Sequence, residues 1–141
     1  MPKHPLPSDT PAVAPYLVVE EPAGLIGFLA EVFGAREVMR VHRGDGSIMH
    51  AEVRIRDSAV MMGGANKDFP ASTAGLHVYV EDADATYRKA LELGGTEIMP
   101  PSEAGDGDRR GGFLDAAGNQ WWIASRVETL TAAEIEARTK K

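Results

Sequence analysis

The sequence predicts an α+β fold of two βαβββ modules followed by a short C-terminal helix. Three observations carry that prediction. The chain repeats one pattern. Tyr16-Leu17-Val18-Val19, an acidic turn and a helical stretch ending in Phe33-Gly34-Ala35 lead to Glu37-Val38-Met39. Later, Leu76-His77-Val78-Tyr79-Val80, an acidic turn and a helical stretch ending in Leu93-Gly94-Gly95 lead to Glu97-Ile98-Met99. Such a repeat marks two copies of one supersecondary unit, each too small to bury its own sheet. Ile48 to Ile55 alternates strictly, with Ala51, Val53 and Ile55 apolar and His50, Glu52 and Arg54 polar, as in a strand with one buried face. Finally, 141 residues that are 43% hydrophobic suffice for one compact domain or two fused half-domains, with a real core.

The elements follow in order. Residues 1–12 carry Pro2, Pro5, Pro7 and Pro11 and read as an extended, flexible lead-in, which also holds His4. Pro15 to Val19 is a strand. Pro22 opens a helix with Leu25, Ile26, Leu29, Val32 and Phe33 on one face, and Gly34 caps it. Glu37 to His42 is a strand, Arg43 to Gly46 a turn, and Ile48 to Ile55 the alternating strand. Arg56-Asp57-Ser58 turns the chain into the strand Ala59 to Met62, and Gly63 to Ala74 links the modules. In the second copy Leu76, Val78 and Val80 face one way and His77 and Tyr79 the other. Asp82 is the expected N-cap of a helix from Ala83 to Leu93. Glu97 to Met99 is a strand broken by Pro100-Pro101, Gly105 to Gly112 a rim loop, and Asp115 to Asn119 a turn before the strand Gln120 to Ser125. Thr131 and Glu134 have capping-box spacing, which predicts a helical tail within 127–141. The modules span 13–65 and 75–126.

Composition narrows the function. A net charge of −6 without a basic block argues against nucleic acid and anionic membrane as partners. The absence of cysteine removes disulfides, thiolate chemistry and Cys-ligated metals. No apolar run approaches a membrane span, and the N-terminus lacks a secretory apolar core, so a soluble cytoplasmic protein is expected. Two paired half-sheets make a concave surface, where a small-molecule ligand is expected.

The repeat, with Pro15-Tyr16-Leu17-Val18-Val19, Phe33-Gly34-Ala35, Met49 to Ile55, Leu76 to Val80, Asp115 to Asn119 and Trp121-Trp122-Ile123-Ala124, resembles the vicinal oxygen chelate superfamily of glyoxalases, bleomycin-resistance proteins and extradiol dioxygenases. Within it the chain is most similar to the PhnB-like branch. The resemblance implies a half-barrel pair with the helices outside, the concave faces meeting around a pocket, and a homodimer formed side by side or by exchange of modules. Strand parity then places Leu17, Val19, Ala51, Val53, Ile55, Leu76, Val78 and Val80 under the helices. Tyr16, Val18, His50, Glu52, Arg54, Val60, Met62, His77, Tyr79, Gln120 and Trp122 face the pocket.

Metal-dependent members take ligands from the first and last strand of each module. Matching those strands puts Ala14, Met62, Gly75 and Trp122 at the ligand positions, and none can hold a divalent cation. No cofactor is therefore expected. The alternative is a shifted divalent-metal site of His50, Glu52 and His77, which would also be the catalytic candidates; the plainer reading makes both histidines hydrogen-bonded pocket-lining residues. Arg109 and Arg110 are read as loop arginines that could hold an anion. Trp121 is assigned to the core and Trp122 to the pocket, where its ring could stack on a ligand or pack on the partner module. Glu52 and Arg54 are expected to pair.

The expected function is non-metal binding of a small aromatic or cationic compound in a resistance or sequestration role, with Tyr16, His50, Glu52, Arg54, Met62, His77, Tyr79 and Trp122 as ligand contacts. The alternatives are a metal-dependent lyase, isomerase or dioxygenase, and a dimeric scaffold without activity.

Overall fold

A computed structural model describes residues 5–139; His4 and the rest of the first four residues, with Lys140 and Lys141, lie outside the described residues. The first module holds β1 (Tyr16–Val19), α1 (Pro22–Phe33), β2 (Arg36–His42), β3 (Ile48–Ile55) and β4 (Ser58–Gly64). The second holds β5 (Gly75–Tyr79), α2 (Ala83–Glu92), β6 (Thr96–Glu103), β7 (Asp108–Leu114) and β8 (Gln120–Arg126). Helix α3 (Ala132–Thr139) closes the chain. Residues 5 to 15 form no helix or strand. No helix among the described residues is long and apolar enough to cross a membrane.

Each module makes a four-stranded sheet, ordered β1-β4-β3-β2 and β5-β8-β7-β6. The first strand of each module runs parallel to its neighbour and the other pairs are antiparallel. The repeat extends to irregularities. The register slips at the same place in both modules, between Glu37 and Met39 and between Glu97 and Met99. Local signals were realised where the chemistry is local. Gly34 caps α1 with φ 67, a conformation glycine adopts at little cost. The Asp82 carboxylate accepts from the Ala85 N–H at 3.0 Å. Thr131 and Glu134 exchange both capping-box bonds, at 3.1 and 3.2 Å.

Two expectations change. β6 runs through Pro100-Pro101 instead of breaking there; it is an edge strand, where a missing N–H donor is tolerated. The stretch expected as a loop up to Gly112 contributes Asp108 to Gly112 to β7.

The helices also sit differently. α1 packs on β3 and on α2, and Glu31 of α1 lies 3.8 Å from Lys89 of α2. Phe33 of α1 reaches Phe113 and Trp121 of the second module, with ring centroids 6.3 and 5.3 Å apart. The helix-covered faces of both sheets thus share one core, which contains Leu17, Leu29, Val53, Phe113, Trp121 and Ile123. Burying that surface once, between modules, is more economical than covering two small sheets separately. Each helix still covers its own sheet, but the two helices pack on each other between the modules, so the concave faces do not close on each other within one chain.

Candidate functional site

The concave face of the first sheet is read from its register. Tyr16 pairs with Met61, Met61 with Glu52 and Glu52 with Met39, so these four side chains share one row. The Tyr16 hydroxyl is 3.1 Å from His50 Nδ1, and the rings stack at 5.6 Å. Gly63 allows this. A Cβ there would lie 2.7 Å from the Tyr16 hydroxyl and 2.9 Å from the Met49 carbonyl. Glu52 is buried and accepts from Arg54 Nε at 2.7 Å, which meets the cost of burying its charge. A cavity of about 510 Å³ opens beside this row against Tyr16, Val18, Met49 and Phe69.

On the second sheet the equivalent row is His77, Trp122, Gly112 and Met99. The six-membered ring of Trp122 rests on Gly112. A Cβ at that glycine would come within 2.6 Å of the ring, and Nε1 donates to Gln120 Oε1 at 3.3 Å. The indole is therefore held in place while half-buried, an arrangement suited to stacking. Trp121 is fully buried and donates to Asp115 Oδ2 at 2.9 Å, as a core tryptophan should.

Beside Trp122 lies a polar network centred on Asp108, only 2% exposed. It accepts from the Tyr79 hydroxyl at 2.7 Å, Arg126 Nε at 2.6 Å and Arg110 Nη2 at 3.0 Å. Burial pushes the Asp108 carboxyl up, but the bonds from Tyr79 and Arg126 and the two guanidinium charges together hold it below the usual carboxylate range. Asp106 holds Arg110 Nη1 at 2.9 Å, and Arg110 Nε donates to His77 Nε2 at 3.1 Å. His77 must then accept through Nε2 and carry its proton on Nδ1, as a neutral ring. Burial first, and Arg110 second, push His77 below the ordinary imidazole value. Tyr79 meets the His77 ring edge at 5.0 Å.

The structure therefore brings Tyr16, His50, Glu52 and Arg54 together on one face, and His77, Tyr79 and Trp122 on another. Met62 belongs to neither. It pairs with Leu17 and Ala51 and is fully buried in the core, and Val60, opposite Val53, is buried with it. One residue of register separates Met62 from Met61, and it is Met61 that faces the concave side. Arg109 and Arg110 are not solvated loop residues: Arg109 pairs with Asp84 at 2.7 Å, and Arg110 anchors His77.

Within one chain these residues do not assemble a divalent-cation site. His50 and Glu52 lie on one sheet and His77 on the other, and His77 Nε2 is already occupied by Arg110. No group of three or more His, Asp or Glu among the described residues is placed to hold a metal. Met61, which takes the place assigned to Met62, offers only a soft thioether. Asp108, Gly112, Met39 and Met61 were not expected at the site. The Gly111-Gly112 pair was the available signal, because glycine inside a strand often marks a close approach.

Comparison with known proteins agrees with this architecture. The family model described as the Glyoxalase/Bleomycin resistance protein/Dioxygenase superfamily matches residues 11–123. An uncharacterised protein of Mycobacterium bovis is 33% identical over 138 residues, covering 90% of this chain and 91% of that protein. The PhnB protein from Bacillus cereus superposes with a TM-score of 0.66 at 19% identity, covering 82% of this chain and 99% of that one. The fosfomycin resistance protein FosX from Mesorhizobium loti superposes with a TM-score of 0.64 at 22% identity, covering 91% and 98%.

Proposed function

The chain belongs to the glyoxalase/bleomycin resistance protein/dioxygenase superfamily, and we propose that it binds a small aromatic or amphipathic molecule without a metal, in a resistance or sequestration role in the cytoplasm. The observation that carries this reading is Trp122, half-buried on the concave side and pinned on Gly112. The facing module would come from a second copy, because the concave faces of one chain do not close on each other. A homodimer would set Tyr16 and Met61 of one subunit against the His77 and Trp122 face of the other. Charge is the weaker determinant. Glu52 is paired with Arg54, and Asp108 with Arg110 and Arg126, so neither buried carboxylate is left to attract a cation. Stacking would select the ligand. The PhnB-like affiliation and the resistance role rest on likeness of fold.

A thermal-shift screen of planar aromatic and amphipathic compounds tests this. A ligand should raise the melting temperature, and Trp122→Phe should remove most of the shift. A ligand whose effect survives both Trp122→Phe and Tyr16→Ala does not use these faces. A screen without any stabilising compound would favour a dimeric scaffold.

A further inference from the structure

Two grooves run along the free edge of β5, one of about 500 Å³ and one of about 710 Å³. They meet the concave face of the second sheet only at His77 and Tyr79. Their floor is the core side of the molecule, with Val60, Leu76 and Trp121 in one and Val32 and Phe33 in the other. They join where Ile55, Arg56, Val78 and Tyr79 line both. The result is a slot with an apolar floor between an edge strand and the tip of the β3–β4 hairpin, with Asp57, Ser58, Glu81, Thr86 and Arg126 on its polar rim.

The parallel pairing of β5 determines what its edge offers. In a parallel ladder alternate residues turn both backbone groups to the same side. The Val80 N–H donates to Ala124 and the Ala74 carbonyl accepts from Gln120, so His77 and Tyr79 turn their backbone groups to the slot. In the first module the equivalent edge is covered: the Val18 carbonyl accepts from the Ser72 N–H of the linker. At β5 the Tyr79 carbonyl instead takes the Arg56 guanidinium at 3.5 Å.

Arg56 is an independent pointer. With φ 54 it is the one non-glycine residue among those described in the left-handed region, at a hairpin position where glycine would cost less. Its guanidinium has no carboxylate partner among the described residues, whereas Arg126 across the slot is tied to Asp108. Asp57 beside it is engaged with the Ser58 hydroxyl.

We propose that this slot binds an N-acylated apolar amino acid, either free or as the C-terminus of a polypeptide, with its carboxylate on Arg56. An extended residue laid parallel to β5 opposite Val78 would donate its N–H to the His77 carbonyl and accept from the Tyr79 N–H. Directly paired residues point to the same face, so its side chain would share the face of Val78 and enter the apolar floor. The parallel direction takes its carboxylate toward Tyr79, where Arg56 waits.

The test titrates the isotope-labelled full chain with N-acetylphenylalanine and follows backbone amides by NMR. N-acetylphenylalaninamide is the uncharged control, and a hexapeptide ending in phenylalanine is the second source. Saturable shifts are expected at residues 55–59 and 75–80, while the amides of Tyr16 and Met61 stay still. Affinity should fall at least tenfold for the amide and in Arg56→Gly, a substitution that suits the positive φ and preserves the fold. Hexapeptide binding as tight as the small acid supports a polypeptide terminus; weaker binding supports the free acid. No saturable shift in the slot, equal affinity for acid and amide, or an unaffected Arg56→Gly overturns the proposal.

Discussion

Replacing each of the adjacent methionines of β4 with alanine tests which way that strand faces. Met62 is fully buried and pairs with Leu17 and Ala51, whereas Met61 is half-buried and pairs with Tyr16 and Glu52. Truncating a fully buried methionine costs about 2–5 kcal/mol, from lost transfer energy and the cavity left behind. In a chain of this size each kcal/mol lowers the melting temperature by about 3 °C. Met62→Ala should therefore melt about 6–15 °C lower. Met61→Ala leaves the helix-side core intact and should cost about 1 kcal/mol or less, about 3 °C. Chemical denaturation followed by fluorescence of the buried Trp121, together with thermal melts, measures both. If Met61→Ala proves the more damaging, β4 is inverted, and Met61 must be withdrawn from the concave row.

Gly112→Ala should push the Trp122 ring out of place, cost about 1–3 kcal/mol, and abolish stacking-dependent ligand binding, as seen in near-UV circular dichroism and in the ligand's thermal shift. Asp108 is held below its unfolded value, so its contribution to stability is complete above about pH 3.9 and is lost as pH falls through the lower folded value. Asp108→Asn should lower stability at neutral pH and flatten that acid limb; an unchanged limb would contradict the network. His77 is likewise depressed, so its contribution is complete above about pH 6.5 and is lost as pH falls through the folded value. Arg110→Ala should raise the His77 value toward the ordinary one by NMR titration, and a fall would show that Arg110 does not set it. Sedimentation at micromolar concentration should give a dimer; a monomer alone would leave the concave faces without their proposed cover.

The sequence by itself determined what depends on neighbours along the chain. The repeat, the glycine cap at Gly34, the Asp82 cap and the Thr131–Glu134 box are local, and all were realised. The facing of β3 and β5 was legible because alternation is marked there by unlike residues. It was not legible in β4, where Val60, Met61 and Met62 are all apolar and no polar residue marks the open side. Nor could it reveal that Arg110 holds His77, a contact across β7, β8 and β5 between residues that only the register brings together. Which faces of the modules meet was likewise a tertiary decision. Each helix is apolar enough to cover its own sheet, but Phe28 and Phe33 extend past it to Phe113 in the other module, and that shared burial turns the concave faces apart. Periodicity says which side of a strand is apolar; the packing of one module on the other decides what that side touches.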